Sequence, residues 1–129
     1  MDTLADLDGP PGADGRTLTL ARYTIAAGAK LVPHVHPGVQ LAHVESGTLT
    51  YTVVSGTALV QRAGTTEHTE VPGPTTIELE AGDVVIEVDD MVHFGENRSD
   101  EPLVILATLL TEDGHKLAEP VTTTTAAPG

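Results

Sequence analysis

The sequence contains no cysteine, few basic residues and no long apolar run, and each absence excludes a class of protein. Without cysteine, disulfide scaffolds, cysteine zinc sites, iron–sulfur clusters and thiol catalysis are excluded. The absence of cysteine does not indicate whether the protein works in an oxidising or a reducing compartment. No apolar run approaches the ~20 residues needed to cross a bilayer. Residues 1–15 show no basic segment followed by an apolar one, so no signal peptide is predicted. We expect a cytoplasmic protein, with a secreted mature chain as the alternative.

The charge balance excludes two kinds of partner. The 129 residues include 19 acidic and 6 basic side chains, which gives a formal net charge of -13. Nucleic acids and anionic membranes are bound through clusters of Lys and Arg, and the sequence has no such cluster. We therefore expect no nucleic acid and no membrane partner. Apolar residues make up 40% of the chain, which is enough for the core of one domain.

The composition and spacing predict an all-β protein. Threonine and valine are abundant, and β-branched side chains favour pleated strands over helices. Short alternating segments are separated by turn residues, which is typical of a sandwich or barrel. We divide the chain into a flexible N-terminal segment (1–15), a β-barrel domain (16–111) and a flexible C-terminal tail (112–129). The predicted strands are Arg16–Thr24, Val39–Glu45, Thr48–Val54, Thr57–Arg62, Thr75–Glu80, Val84–Val88, Val92–Glu96 and Leu103–Leu110.

Two of these strands are predicted to form a hairpin around Ser46 and Gly47, since two residues are the commonest hairpin loop. This register pairs Val44 with Leu49 and Ala42 with Tyr51. The inward face then carries Gln40, Ala42, Val44, Leu49, Tyr51 and Val53.

Three of the six histidines have a spacing that metal binding could use. His34 and His36 are two residues apart, so an extended chain places both imidazoles on one side. Gln40 begins the inward-facing strand that follows, and His93 lies far downstream. Neutral imidazole is the commonest ligand of borderline divalent metals, and converging rings form a chelate.

The intervals around these residues resemble the two motifs of the cupin superfamily. The first is Gly28-x5-His34-x-His36-x3-Gln40-x6-Gly47, in which the family usually has Glu at the position of Gln40. The second is Gly82-x5-Val88-x-Asp90-x2-His93-x3-Asn97, in which the family usually has Pro and Gly at the positions of Val88 and Asp90. Together the motifs span Gly28 to Asn97.

The resemblance implies a cupin-type antiparallel β-barrel or jelly roll that holds one divalent transition metal (Fe, Mn, Ni, Zn or Cu). The implied ligands are His34, His36, His93 and the residue at position 40. Gln40 would leave the metal its full charge and favour an anionic ligand, or it would be a hydrogen-bonding group that never touches the metal. The replacements at Val88 and Asp90 are expected to change the turn before His93. A homodimer is also implied by the resemblance.

We expect a metal-dependent, dioxygenase-like oxidoreductase that acts on a small anionic or chelating organic molecule, although a lyase or isomerase would use the same parts. Tyr51 is the candidate catalytic side chain, as a proton donor or substrate-orienting group. The substrate wall is predicted to consist of Ala42, Val44, Leu49, Val53 and Met91. Glu87 is expected to face outward. The alternatives are a non-catalytic cupin that senses or scavenges a ligand or metal, and a purely structural barrel.

Overall fold

The computed structural model describes residues 1–88 and 90–121 and consists of β-strands arranged in two antiparallel sheets. The seven-stranded sheet contains, in spatial order, β1 (Asp2–Asp8), β2 (Arg16–Ile25), β11 (Leu103–Glu112), β4 (Gly38–Ser46), β9 (Val84–Glu87), β6 (Thr57–Gln61) and β7 (Thr69–Pro72). The five-stranded sheet contains β12 (Glu119–Pro120), β3 (His34–Val35), β10 (Val92–Glu96), β5 (Thr48–Ser55) and β8 (Thr75–Glu80). Within these residues, no helix is both long and apolar enough to cross a bilayer.

The all-β prediction is confirmed: the described residues form two antiparallel sheets in a jelly-roll arrangement, and the sheets are not closed into a barrel. All eight predicted strands are present, with ends within two residues of those expected. The strands β1, β3, β7 and β12 were not predicted. Two of these are only two residues long, and the other two lie at the edges of the large sheet, where alternation is weak.

The predicted hairpin register is wrong. Strands β4 and β5 follow each other in sequence but belong to different sheets: β4 pairs with β11 and β9, and β5 pairs with β10 and β8. The chain crosses between the sheets at Gly47, whose φ of 89° lies in the left-handed region. A two-residue separation is therefore compatible with a corner as well as with a hairpin turn.

The predicted inward faces are nevertheless correct. Gln40, Ala42 and Val44 of β4 are buried, and so are Leu49, Tyr51 and Val53 of β5. Inward faces depend only on the period of two along each strand, so they survive a wrong choice of partner strand. The core lies between the two sheets.

Both segments outside the predicted domain contain strands. Strand β1 lies within residues 1–15 and pairs with β2 along its length, with every side chain exposed. Strand β12 lies within residues 112–129 and pairs with β3, and Leu117 packs against the core. Residues 122–129 of the predicted tail lie outside the described residues.

The turn before His93 keeps a backbone conformation that suits glycine. Asp90 has a φ of 68°, in the left-handed region where Asp and Asn are tolerated better than most residues. Asp90 therefore occupies a backbone conformation that glycine, the residue expected here from the resemblance, adopts more readily.

Candidate metal centre

Three histidines from the five-stranded sheet meet at one place. His34 in β3 and His93 in β10 are paired across the two strands, and His36 follows β3 directly. Their ring centroids are 4.4–5.0 Å apart. One nitrogen from each ring lies within 4.8 Å of those of the other two. The sequence spacing thus brings together the three imidazoles that it singled out.

Each ring is oriented by a hydrogen bond from Nδ1 to a backbone carbonyl. A carbonyl oxygen can only accept, so Nδ1 must carry the proton in all three rings. In the neutral tautomer Nε2 is then the free lone pair. The three bonds join His34 to Val32 (2.9 Å), His36 to Leu117 (2.8 Å) and His93 to Met91 (3.2 Å).

The prediction that Glu87 faces outward is wrong. Its side chain is 3% exposed, and its carboxylate lies against two of the histidines. Oε1 is 3.0 Å from Nε2 of His36, and Oε2 is 3.2 Å from Nε2 of His93. The prediction relied on the apolar neighbours Ile86 and Val88, but the outer side of β9 is itself apolar, so the inward positions are Val85 and Glu87.

Two further donors hold the Glu87 carboxylate in place. The Gln40 amide donates from Nε2 to Oε1 at 2.6 Å, and the Tyr51 hydroxyl donates to Oε2 at 2.8 Å. The hydroxyl of Tyr23 in turn donates to Oε1 of Gln40 at 3.3 Å. Gln40 and Glu87 are direct partners in the register of β4 and β9. Both predicted pocket residues on β4 and β5, Gln40 and Tyr51, therefore contact the same buried carboxylate.

The protonation states follow from this arrangement. Burial alone would raise the pKa of Glu87, but His93 and His36 outweigh it and hold that pKa well below its usual range. Burial lowers the pKa of His36, yet its bond to the Glu87 carboxylate raises it overall. Burial, together with the Glu87 charge, raises the pKa of Tyr51 and raises that of Tyr23 to about 12. Both phenols are therefore protonated donors at neutral pH. Burial is also the main cause that lowers the pKa of His34.

These groups line a cavity of about 260 Å³. Among the described residues of its lining, Glu87 is the only charged carboxylate, and no Lys or Arg is present. The predicted apolar wall is mostly wrong: Leu49 lines the cavity, whereas Ala42, Val44, Val53 and Met91 are packed in the core. Alternation identifies inward positions but does not separate core from cavity. The apolar wall is formed by Ile25, Leu31, Val32, Leu49, Ile105 and Pro120.

The donor set fits a first-row divalent metal. The three imidazoles lie close together, the Glu87 carboxylate lies against His36 and His93, and the described lining contains no Lys or Arg. Nδ1–H bonds to backbone carbonyls are the outer contacts that typically orient metal-binding histidines. Imidazole nitrogen with carboxylate oxygen suits Mn, Fe, Ni, Cu or Zn. The other three histidines, His43, His68 and His115, lie at partly or fully exposed positions outside this group.

Comparison with known proteins gives both family and fold. The sequence matches the protein family described as Cupin over residues 3–129. A solved oxalate oxidase is 16% identical with a TM-score of 0.59, over 86% of this chain and 49% of the oxidase. An oxalate decarboxylase is 26% identical with a TM-score of 0.57, over 87% of this chain and 26% of the decarboxylase.

A third solved structure, oxalate decarboxylase from Bacillus subtilis, has Mn(II) centres and is 21% identical, with a TM-score of 0.56, over 100% of this chain and 32% of that chain. The chain thus spans half or less of the length of these three structures. Comparison with curated proteins found no match.

Proposed function

Because this chain belongs to the cupin family, we propose that it is a metal-dependent enzyme acting on a small anionic or chelating organic molecule. The observation that carries the proposal is the common orientation of the histidines. Three imidazoles turn Nδ1 toward backbone carbonyls, which leaves Nε2 as the lone-pair nitrogen of each neutral ring, and one nitrogen of each ring lies within 4.8 Å of those of the other two. Such an arrangement of lone pairs requires a cation at its centre or protons in its place.

His34, His36 and His93 would hold the metal, which when bound would supply a Lewis acid and, if redox-active, an electron-transfer centre. The protein's own contribution is orientation and charge. The cavity lining has no Lys or Arg among its described residues, so an anionic substrate would have no other positive charge to meet. The net charge of -13 would also repel an anion at long range.

The size of the cavity limits the substrate. About 260 Å³ is slightly below the ~300–1,000 Å³ of ordinary ligand pockets, which favours a molecule of few heavy atoms. The similar structures include an oxalate oxidase and oxalate decarboxylases, and oxalate is a small chelating dianion. The names of these relatives favour oxidoreductase or lyase chemistry on a small carboxylic acid, and dioxygenase-like chemistry stays part of our proposal.

Tyr51 would act as a hydrogen-bond donor in this site. Its hydroxyl is buried, bonded to Glu87, and has a raised pKa that keeps it protonated. It would therefore orient Glu87 or a bound substrate rather than remove a proton. This role agrees with the geometry more closely than a role as a general base.

A second candidate function is a non-catalytic cupin that binds a metal or small ligand. It is favoured by one observation: both oxygens of Glu87, the one carboxylate among the described residues of the cavity lining, already accept hydrogen bonds. No described side chain of the lining is then left as a free general base. Steady-state oxygen uptake or substrate turnover by the metal-loaded protein separates the two functions.

We also propose a homodimer formed through the outer apolar face, which consists of Leu7, Leu18, Leu20, Val39, Leu41, Leu59, Ile86 and Leu110. These residues lie side by side across six strands of the large sheet, and several are 38–54% exposed. Two copies that each carry a charge of -13 can associate only where acidic side chains are few. The outer apolar face is aliphatic by its members, so a second copy of this chain is the partner that we propose for it.

The metal is tested by elemental analysis of untagged protein purified without added metal. The wild type should contain about one equivalent of a first-row metal, and His34→Ala/His93→Ala should lose it. The matched control is His43→Ala/His68→Ala, which removes two histidines away from the cluster and should keep the metal. A wild type that binds none of the candidate ions, even after incubation with each, would contradict the proposal.

A further inference from the structure

We infer that Glu87 is the oxygen ligand of the proposed metal and that Gln40 is a positioning residue that holds the Glu87 carboxylate. The inference rests on the proposed metal site. It moves the anionic ligand from β4 to the neighbouring strand β9, directly opposite Gln40 in the register.

The spacing of the ligand atoms supports a direct role for Glu87. Ligands about 2.1 Å from a metal and at right angles to one another lie about 3.0 Å apart. Nε2 of His36 is 3.0 Å from Oε1 of Glu87 and 3.2 Å from Nε2 of His93. Nε2 of His93 is 3.2 Å from Oε2 of Glu87. The carboxylate therefore already occupies the spacing of a ligand position next to His36 and His93.

The Gln40 side chain, by contrast, is oriented so that it cannot act as a ligand, because both of its polar atoms already have hydrogen-bond partners. Its amide NH2 faces the Glu87 carboxylate at 2.6 Å, and an NH2 group has no lone pair for a metal. Its carbonyl oxygen, the one atom that could ligate, accepts the hydroxyl of Tyr23. The acceptors and donors on either side fix which end of the amide points where. Rotating the oxygen toward the histidines would break both contacts and place it against an anion.

The net charge of the metal site changes if Glu87, and not Gln40, is the oxygen ligand. Three neutral imidazoles and one carboxylate leave a divalent metal with a net charge of about +1, instead of the +2 expected with a neutral amide ligand. The burial of Glu87, at 3% exposure, makes this charge effective because little water screens it. A single carboxylate of a substrate would then neutralise the site.

The inference is tested by titrating metal-free protein with Mn(II) chloride at fixed pH and measuring the dissociation constant calorimetrically. Glu87→Gln should weaken Mn(II) binding by at least about 100-fold, because a buried anionic ligand is lost. Gln40→Leu should weaken it by about 10–100-fold, as expected for a residue that acts through a ligand. Glu70→Gln makes the same charge change at an exposed position and should leave binding unchanged.

A double variant adds a rescue test. Gln40→Glu/Glu87→Gln exchanges the two groups across the strand pair and should recover binding to within about tenfold of the wild type. If Glu87→Gln binds Mn(II) as the wild type does while Gln40→Leu abolishes binding, the inference is overturned and Gln40 is the ligand. Binding by the wild type that is lost in His34→Ala/His93→Ala upholds the proposed function in either case.

Circular dichroism and thermal melting check that each variant folds. Should Glu87→Gln not fold, Gln40→Leu decides the matter. A weakening of about 10–100-fold supports a positioning role, and a loss equal to that of the histidine double variant overturns it. If the wild-type protein binds neither Mn(II) nor any other candidate ion, both the proposed function and this inference are contradicted.

Discussion

Two buried carboxylates, Asp83 and Glu87, stand at the two ends of β9 and have different kinds of partner. Glu87 faces side chains of the cavity. Asp83 instead accepts from the backbone N–H groups of Glu80 (2.8 Å) and Ala63 (2.9 Å), and from the Arg62 guanidinium (2.9 Å). The first carboxylate belongs to the site, and the second fixes the turns that lead into β9.

Asp83→Asn should lower the free energy of unfolding by about 1.5–3 kcal/mol at neutral pH. The carboxylate accepts three hydrogen bonds, whereas an amide would turn its NH2 group toward one of the donors. Urea unfolding of both proteins measures the difference. Asp100→Asn, at an exposed position, is the control and should change stability by less than about 0.5 kcal/mol.

The effect of Asp83→Asn should depend on pH. Burial opposes ionisation of Asp83, but the hydrogen bonds from Glu80, Ala63 and Arg62 outweigh it and lower its pKa from 3.8. A lowered native pKa stabilises the fold above the ordinary pKa, and that contribution is lost as the pH falls through the native value. The stability gap between wild type and variant should therefore shrink when the pH is taken below about 3.8. A gap that stays constant with pH would contradict this account.

Tyr51→Phe should destabilise the protein more than Tyr23→Phe does. The Tyr51 hydroxyl donates to a buried carboxylate at 2.8 Å, and hydrogen bonds to charged groups contribute about 1.5–3 kcal/mol. The Tyr23 hydroxyl donates to a neutral amide at 3.3 Å, for which about 0.5–1.5 kcal/mol is expected. Chemical denaturation of the two variants gives the comparison, and an equal loss for both would count against an ionised Glu87.

The histidines were predictable and Glu87 was not, for a physical reason. Residue type and sequence spacing are enough to identify His34, His36 and His93 as candidate ligands, and neither requires knowledge of strand pairing. The role of Glu87 depends on which side of β9 faces the cavity. Its apolar neighbour Ile86 belongs to the outer apolar face, so hydrophobicity favoured the wrong side. The pairing of Glu87 with Gln40 would have been the deciding signal, and pairing is a tertiary property.

Among the elements, the corner at Gly47 decides how the two sheets are connected. Gly47 has a φ of 89°, and a Cβ there would lie 3.0 Å from Cα of Leu103 and from the carbonyl oxygen of Pro102. Backbone atoms cannot move aside as side chains do. The corner between β4 and β5 is therefore packed against the beginning of β11.

Gly47→Ala should cost more stability than Gly64→Ala. Both glycines have positive φ, so each alanine incurs the left-handed penalty of about 1–2 kcal/mol. No atom of the described residues lies within 4 Å of a Cβ at Gly64, whereas Gly47 adds the backbone contact with β11. Thermal melting should show a clearly lower midpoint for Gly47→Ala. Equal midpoints would mean that the corner is not closely packed.

Strand positions and inward faces could be predicted from the sequence, but strand partners could not. The period of two along β4 and β5 correctly placed Gln40 and Tyr51 inward. The two-residue separation between these strands is compatible with a hairpin loop and equally with a corner between two sheets. The contacts that choose the corner come from β11, more than fifty residues downstream of Gly47.

At the scale of the whole molecule, a strongly acidic chain has one face that is rich in aliphatic side chains. The net charge of the chain is -13, and the outer apolar face presents aliphatic side chains across the large sheet. A homodimer through this face would bury those side chains. It would leave the cavity free, because the inward side chains of the same sheet face the other way.

Leu41→Glu should convert the proposed dimer into a monomer. Leu41 is 44% exposed within the outer apolar face, and a glutamate there would place like charges opposite each other in the dimer. Light scattering coupled to size exclusion should give twice the 13.4 kDa of the chain for the wild type and one chain mass for the variant. Glu78→Asp, on the other sheet, should remain dimeric, and a wild-type monomer would contradict the proposal.

The measurement that tests the central claim most directly is an anomalous-diffraction structure of the Mn(II)-loaded protein. The account predicts one anomalous peak about 2.0–2.3 Å from Nε2 of His34, His36 and His93, with an oxygen of Glu87 as the next protein ligand. Gln40 should keep its hydrogen bond to Glu87. A peak elsewhere in the chain, or no peak between these three histidines, would contradict it.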